Sequence, residues 1–482
     1  MKSLKTGKLL LTGLVALACE LSVLGADVRE FGAAGDGKTD DTAAIGRAIS
    51  ESPDGRVRFP RGTYRITQTI EIDLARLGPV SLSGEGGVAR ILMEAPGPAF
   101  RFSGTHEGTA NPDSFDPETL ERERMPQVEG LEIAGTHEEA DGLEFYRVMQ
   151  PTLRGVLIRD VRHGVRLVER NRNLIIESSH IYHCSGIGVF LDNVDLHQAI
   201  IQGSHISYCK GGGIVVSGGG IRNLHITGNT IEYNYDPGAM ESADIRINSA
   251  EGTVREGSIV GNTIQARPSP GGANIRMVGG GNSPGKTGLW SITGNHISNQ
   301  EINVHLDRTR GVSISGNTFL RGGKKTILVE RSRNTVVTGD TIDRHPDYYH
   351  GERYRDMADG IRIRESEGVI LSGLLIDGAR LGDPEAGGAI DVLDSSEVTI
   401  TGSQILHPRY RGIHVSGSRN VQVVTNTIVD RSGDGLQVAA IEVGGDSEGV
   451  LVRGNLVGEG GDGAILAEGE GVLAEGNRET SD

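Results

Sequence analysis

The sequence predicts an all-β solenoid, a single-stranded right-handed parallel β-helix with an N-terminal capping helix. Three observations predict it: a short strand motif recurs along the chain, an Asn-containing turn recurs between these strands, and the composition is unusual. Glycine accounts for 72 of 482 residues, whereas aromatic residues make up only 4%. Glycines without a collagen-like period, placed between short apolar runs, favour stacked repeats over several globular cores.

The strand motif is Gly or Ala, an apolar residue, a variable residue and a second apolar residue. Alternation with period two predicts strands whose apolar side chains point into the coil, and each coil must stack on its neighbours to bury them. The copies are Gly142-Leu-Glu-Phe, Gly164-Val-Arg-Leu, Gly188-Val-Phe-Leu, Gly213-Ile-Val-Val, Ala243-Asp-Ile-Arg-Ile, Ala273-Asn-Ile-Arg-Met, Asn303-Val-His-Leu, Thr326-Ile-Leu-Val, Gly360-Ile-Arg-Ile, Ala389-Ile-Asp-Val, Gly412-Ile-His-Val, Ala440-Ile-Glu-Val and Ala464-Ile-Leu. We therefore expect at least eleven coils.

The second motif, Gly-Asn-Thr-Ile or a relative, lies between these strands. An Asn at the same turn of successive coils can hydrogen-bond up and down the stack and so satisfy backbone groups that water cannot reach. Its Asn residues are Asn229, Asn262, Asn295, Asn317, Asn426, Asn455 and Asn477.

An open solenoid exposes strand edges unless its ends are covered. The segment 36–52 has acidic residues followed by Ala/Ile periodicity, which predicts a helix over residues 40–51 with Thr39 or Asp40 as the N-cap. We expect this helix to cover the N-terminal end, within a cap and first coil at 27–70.

Residues 1–26 have the pattern of a signal peptide. Lysines precede the apolar stretch Leu9 to Leu17, which is too short to span a membrane, and Gly25 and Ala26 offer a cleavage point. We expect a secreted or periplasmic protein whose β-helix domain is 27–482. A lipoprotein signal with Cys19 as the lipidated residue fits the sequence less well than simple secretion does.

The net charge of −16 argues against nucleic acid as a partner, since phosphate binding needs a basic surface. We expect no membrane span, a polysaccharide as the partner, and a monomer or weak oligomer. Cys184 and Cys209 are 25 residues apart, one coil, and should stack about 5 Å apart. A disulfide and a pair of buried free thiols remain equal alternatives.

The segments "DVREFGAAGDGKTDDTAAIGRAI" and "VRFPRGTYRI" resemble the N-terminal module of the pectin-lyase-like superfamily, most closely that of rhamnogalacturonase and epimerase-like pectate lyase domains. The matching residues are Phe31, Gly32, Ala33, Gly35, Asp36, Gly37, Asp40, Asp41, Pro60, Gly62 and Tyr64. The resemblance implies the fold and, more weakly, activity on a polysaccharide. The Asn-Thr-Asp, Gly-His-Gly and Arg-Ile-Lys motifs of pectin-hydrolysing relatives are absent, so no catalytic residue is transferred from them.

Aligning the strand motifs places charged side chains in outward positions on five successive coils. Long segments, above all 343–359, separate some of these strands, and long loops on a rigid scaffold commonly wall a site. We expect Asp307, Glu330 and Asp244 to be catalytic, and the substrate to contact Arg246, Arg276, His305, Arg364, Tyr348 and Tyr349. A solvated, charge-balanced sheet face is the alternative.

Asp307 and Glu330 should lie one coil, about 5 Å, apart, and Asp244 two coils, about 10 Å, from Asp307. Two close carboxyls of which one keeps its proton are what glycoside hydrolysis needs, so a glycosidase without cofactor or metal is the leading hypothesis. A lyase that cleaves a uronate glycan by β-elimination, with His305 or Arg276 as base and Ca²⁺ or arginine neutralising the uronate, is the second. A non-catalytic carbohydrate-binding or surface protein is the third.

Overall fold

The computed structural model describes residues 25–249, 252–280 and 286–480, and these residues form a parallel β-helix. Each coil contributes a strand to three parallel sheets, which we call face A, face B and face C in the order A, B, C along the chain. Four long strands bend from one face to the next. The described residues form more than the eleven coils expected.

The strands of face A carry the repeated motif. They are Ile70–Asp73, Gly97–Ser103, Ala140–Tyr146, the start of Val165–Glu177, the start of Ile187–Gln202, Gly212–Ser217, Ala243–Asn248, Ala273–Val278, the end of His296–Asp307, the end of Thr318–Glu330, Ile361–Arg364, Ile390–Leu393, Arg411–Ser416, Ala439–Val443 and Ile465–Ala467.

Face B follows face A in each coil. Its strands are Ala26–Asp27, Arg56–Phe59, Ser81–Gly84, Gln127–Glu129, Thr152–Arg154, the ends of Val165–Glu177 and Ile187–Gln202, Gly220–Thr227, Thr253–Val260, Thr287–Thr293, Arg310–Ser315, Arg333–Thr338, Glu367–Ser372, Ser396–Thr401, Arg419–Val424, Leu451–Arg453 and Leu473–Glu475.

Face C follows the Asn turn. Its strands are Asp36–Asp40, Gly62–Ile66, Ala89–Met93, Leu131–Gly135, Leu157–Arg159, His180–Tyr182, His205–Ser207, Thr230–Glu232, Thr263–Gln265, the starts of His296–Asp307 and Thr318–Glu330, Thr341–Asp343, Leu375–Asp377, Gln404–Leu406, Thr427–Val429, Leu456–Val457 and Arg478–Glu479.

The inward side chains of all three faces form one continuous apolar core from Val28 to Val457. Small residues stand at the start of the face A strands because successive coils approach closely there. A Cβ on Gly164, for example, would lie 2.5 Å from the carbonyl oxygen of Gly188. The Gly or Ala of the motif is therefore a packing requirement.

The turn between faces B and C holds the expected Asn ladder. The Asn262 backbone N–H and side-chain amide donate to Asn295 Oδ1 at 2.9 and 3.0 Å, and the Asn295 amide donates to the carbonyl of Ile259. Asp340 takes the next position after Asn317, and burial raises the pKa of this carboxyl to about 6. Each rung satisfies turn backbone that is out of contact with water.

The capping helix is Thr42–Glu51 and packs Ala44, Ile45, Ala48 and Ile49 against the first coil. It begins two residues later than predicted, because Asp36–Asp40 forms the first face C strand. The N-cap is Asp41, not Thr39 or Asp40, and its carboxylate accepts from the backbone of Ala34 and Gly35 instead of from the helix. The other α-helices in the described part of the chain are Leu74–Leu77, Pro117–Glu123 and Glu352–Arg355, with 3₁₀ turns at Val28–Phe31 and Pro346–Tyr348.

Cys184 and Cys209 are free, buried thiols, so the structure has the second of the two alternatives for this pair. Their mutual hydrogen bond and burial raise the pKa of the Cys184 thiol well above its usual value. The expected signal peptide lies almost wholly outside the described residues. Within the described ranges, no helix is long and apolar enough to span a membrane.

Candidate functional site

The outward side chains of face A form a continuous column in the predicted register. Arg246 pairs with Arg276, Arg276 with His305, and the column continues through Leu328 to Arg362. In the neighbouring column, Asp307 pairs with Glu330 and Glu330 with Arg364. The fold thus places six of the nine predicted site residues, all but Asp244 and the two tyrosines, on one rigid surface.

His305 links the two columns through both of its ring nitrogens. Its Nδ1 lies 2.8 Å from Arg276 Nη1, and its Nε2 lies 2.9 Å from Glu330 Oε2. Because a guanidinium only donates, Nδ1 accepts and Nε2 carries the ring proton, which it donates to Glu330. His305 therefore has no free nitrogen with which to take a proton from a substrate.

Glu330 and Asp307 are both bound by arginines. Arg364 Nη2 lies 2.6 Å from Glu330 Oε1, and Arg331 Nη2 lies 2.7 Å from Asp307 Oδ1. The hydrogen bond from His305, together with the charges of Arg364 and Arg331, lowers the pKa of Glu330 to about 2 although burial opposes it. Glu330 is therefore ionised and is not the protonated member of the pair that hydrolysis needs.

Arg246 is the one predicted substrate-binding arginine without a hydrogen bond or ion pair among the described residues. Burial lowers the pKa of Arg246 and of Arg276, which lies one coil away. Arg276 is occupied, since it donates to the carbonyl of Gly271 and contacts His305. The free guanidinium of Arg246 suits an anionic ligand group.

Asp244 does not face the groove, and the expectation that it shares a surface with Asp307 and Glu330 is wrong. It is fully buried, and its carboxyl accepts from Asn234 N and Asn274 Nδ2, each at 3.0 Å. Burial raises its pKa to about 8. The Asp244 side chain thus points into the wall of the coil, where it accepts hydrogen bonds from a short ladder of amides. Period-two alternation does not reveal this direction.

The two predicted tyrosines also lie elsewhere. The Tyr349 hydroxyl donates to Asp359 at 3.0 Å and accepts from the Arg321 backbone at 2.5 Å, which holds the 343–359 loop in shape. Tyr348 is exposed but lines a cleft over face C. The loop leaves face C before it joins face A, so these rings belong to the face C side and do not wall the face A groove.

Sequence reasoning missed a second cluster further along face A. Asp391 is fully buried; its Oδ1 lies 2.7 Å from His414 Nδ1 and its Oδ2 accepts from Arg362 Nε at 2.6 Å. His414 Nε2 has no hydrogen bond among the described residues and keeps some solvent contact, although the side chain as a whole is buried. The available signal was their position in adjacent copies of the motif, Ala389-Ile-Asp391-Val and Gly412-Ile-His414-Val.

The carboxylates beside the predicted site offer no calcium ligands among the described residues. Asp307, Glu330 and Asp391 are each bound to arginine, which leaves these three without a set of free oxygens for a hard cation. Among the residues that the structure describes, no three His, Cys, Asp or Glu side chains are grouped so as to hold a metal ion.

The model of a family described as "Right handed beta helix region" matches residues 121–250 and 273–456, more than half of the sequence. The chain belongs to the right-handed β-helix family. Residues 26–104 match the model described as "Rhamnogalacturonase A/epimerase, pectate lyase-like". The two matches place this right-handed β-helix protein in the pectin lyase-like superfamily, as the N-terminal resemblance predicts.

Three solved structures are similar in fold. Tailspike protein 3 of bacteriophage CBA120 is 12% identical, with a TM-score of 0.41, and the match covers 96% of this chain and 61% of that chain. The A-module of the Azotobacter vinelandii mannuronan C-5 epimerase AlgE6 is 16% identical, with a TM-score of 0.39, and the match covers 95% of this chain and 99% of that chain. The catalytic unit of the GH87 α-1,3-glucanase of Streptomyces thermodiastaticus strain HF3-3 is 14% identical, with a TM-score of 0.38, and the match covers 95% of this chain and 68% of that chain. The chain thus spans less than two thirds of the tailspike. The search of curated proteins found no match.

Proposed function

We propose that this protein is a polysaccharide lyase that cleaves a uronate-containing glycan on face A, with His414 as the base. The observation that carries the proposal is the pair formed by His414 and the fully buried Asp391. A carboxylate bound to Nδ1 fixes the ring so that Nε2 is unprotonated and points away from it. This free Nε2 distinguishes His414 from His305, both of whose nitrogens are occupied.

The chemistry also needs a cation beside the base. The terminal nitrogens of Arg362 have no partner among the described residues, because only Nε binds Asp391. A uronate carboxylate bound there would have its charge neutralised, which acidifies the adjacent C–H. His414 would take that proton, the electron pair would form a C=C bond as the C–O bond to the next sugar breaks, and water would protonate the leaving oxygen. Arg246 would bind the carboxylate of a different uronate unit of the same glycan.

Hydrolysis by Asp307 and Glu330 is the second candidate. These residues are register partners one coil apart on face A, which is the specific observation in its favour. Glycosidases of this type need one protonated carboxyl. Asp244, Asp340 and Asp359, whose pKa values are raised by burial, all lie in the walls and not on this surface. Elimination, which needs no protonated carboxyl, therefore ranks first.

A panel of uronate polysaccharides, assayed for both reducing ends and ultraviolet-absorbing unsaturated products, tests the proposal. We expect unsaturated products, and His414→Gln should lower their rate by at least about a hundredfold. His407→Gln is the matched control, because His407 forms a similar pair with Asp377 on face C. Saturated products lost in Asp307→Asn and Glu330→Gln would establish hydrolysis instead, and binding without cleavage would reject both reactions.

A further inference from the structure

Two clefts lie side by side on the outer surface of face C and the turns that follow it, away from the face A residues. The first, which we call the face C cleft, has a volume of about 390 Å³. The second, the tyrosine cleft, has a volume of about 370 Å³ and is formed by Tyr208, Lys210, Tyr233, Tyr235, Pro237 and Arg267. Neither takes part in the cleavage proposed above.

The face C cleft has a polar floor and an aromatic wall. Gln265 and Ser298 are register partners in the floor, as are His296 and Thr318 in the parallel column. Tyr348 forms the wall, with 53% of its surface exposed although the chain has few aromatic residues. Hydroxyl and amide groups beneath an open aromatic ring match the two surfaces of a sugar, its hydroxyl edge and its C–H face.

This wall is preformed. Arg321 Nε donates to the Tyr348 carbonyl at 2.7 Å, and Arg321 Nη1 donates to Asn299 Oδ1 at 3.2 Å. The same guanidinium stacks on the ring of Tyr354 with its carbon 3.9 Å from the ring centre. Because the Arg321 side chain fastens the loop to two coils, a ligand would not have to order the wall when it binds.

The tyrosine cleft continues the first cleft and adds positive charge. Gln265 Nε2 donates to the Tyr233 hydroxyl at 2.8 Å, and the Tyr233 ring stacks on that of Tyr208 with centroids 5.5 Å apart. Lys210 and Arg267 line this cleft, and neither forms an ion pair with any described residue. From the Tyr208 turn to that of Asp343 the joined surface spans five coil spacings, about 24 Å.

We propose that these joined clefts are a second glycan-binding site, which takes an acidic oligosaccharide without cleaving it. The open Tyr348 ring would pack on one sugar, the floor amide and hydroxyls would bind hydroxyl groups, and Lys210 and Arg267 would pair with carboxylates. The length of the surface suits several consecutive sugar units. Such a site would hold a polymer while a different segment of it occupies face A.

Binding measurements on the full chain test this site. The probes are hexasaccharides of galacturonate, mannuronate, guluronate and glucuronate, with cellohexaose as the neutral comparison, and the His414→Gln background prevents cleavage. Thr318→Arg fills the floor and Tyr348→Ala removes the wall. Each should weaken binding of at least one uronate probe by about tenfold or more in Kd. Thr427→Arg is the matched control, since Thr427 also follows a ladder Asn on a face C strand outside the clefts.

Unchanged affinity in both Thr318→Arg and Tyr348→Ala would overturn the site, as would failure of every uronate probe to bind. Equal affinity for cellohexaose, or no effect of a Lys210→Gln, Arg267→Gln double substitution, would overturn the assignment of an acidic ligand. Because the readout is binding alone, the result is independent of whether face A is a lyase, a hydrolase or inactive. Thr318→Arg with His414 intact should leave the cleavage rate of a short soluble substrate unchanged.

Discussion

His414 Nδ1 and Asp391 Oδ1 lie 2.7 Å apart on adjacent coils, and Asp391 is fully buried between His414 and Arg362. Stacking the coils in register brings the two side chains together although 23 residues separate them in the chain. A buried carboxylate that binds a guanidinium and an imidazole has both oxygens satisfied, so it orients both groups firmly.

Asp391→Asn should lower turnover by about a hundredfold or more while the protein stays folded. An amide at position 391 can donate to Nδ1, which would move the ring proton to Nε2 and remove the base. The rate of unsaturated-product formation measures the loss, and circular dichroism checks the fold. Asp377→Asn, which alters the His407 pair on face C, should keep full activity. Equal losses in both variants would show that the effect is not specific to face A.

Glu330 should stabilise the fold only above acidic pH. Its pKa is lowered from 4.5 to about 2, so its native contacts contribute fully above about pH 5 and are lost as the pH falls toward 2. The difference in Tm between the wild type and Glu330→Gln should therefore be largest near neutral pH and should close on acidification. Thermal unfolding from pH 7 to pH 2 measures it, with the exposed Glu459→Gln as control. A difference in Tm that grows as the pH falls would contradict the contacts described for Glu330.

Asp244→Asn should reduce stability and leave catalysis intact. Above about pH 8, the value to which burial raises its pKa, the carboxyl is ionised and accepts hydrogen bonds from both neighbouring amides, whereas an Asn at 244 would present a donor to one of them. We expect a loss of about 1–3 kcal/mol in the free energy of unfolding, from denaturant titration at about pH 9. The turnover per folded molecule should equal that of the wild type. A large fall in turnover with unchanged stability would return Asp244 to the active site.

Replacing an Asn in the middle of the Asn ladder should lower the free energy of unfolding more than replacing one at its end. Asn295→Ala removes an acceptor used twice by Asn262 and a donor to the Ile259 carbonyl, all of them buried, and should lower the free energy of unfolding by about 2–4 kcal/mol. Asn477, in the last coil that the structure describes, is only partly buried. Its replacement by Ala should therefore lower the free energy of unfolding by a smaller amount. Chemical denaturation of both variants compares them, and equal losses would argue against the ladder as a cumulative support.

Arg246→Gln should weaken binding of an anionic substrate without altering the chemical step. Its guanidinium has no hydrogen bond or ion pair among the described residues, so we expect the KM for a uronate polysaccharide to rise about tenfold with kcat unchanged, and the salt dependence of KM to become shallower. Steady-state kinetics at several salt concentrations test this. Arg333→Gln, on face B and paired with Glu367, is the control. A fall in kcat alone would place Arg246 at the reacting centre.

The sequence by itself determined the coil, the register and the ladder. Each depends on one local rule repeated many times: inward apolar residues at every second position, a small residue where coils touch, and Asn at one turn. An error at one coil is corrected by its neighbours, since stacked parallel strands must stay in register. Asp307 and Glu330, for this reason, are register partners as the alignment predicts.

Only the tertiary structure decided what each polar side chain does. Asp244 and Tyr349 form hydrogen bonds with buried groups in the coil wall and in the 343–359 loop. The pKa of Glu330 depends on the two arginines and the histidine that surround it. Asp391 and His414 share one register position, whereas Glu330 and His305 occupy neighbouring columns, and neither arrangement reveals which histidine keeps a free nitrogen. Periodicity predicts which strand positions point outward, with Asp244 as an exception, whereas contacts between coils and loops determine charge, protonation and accessibility.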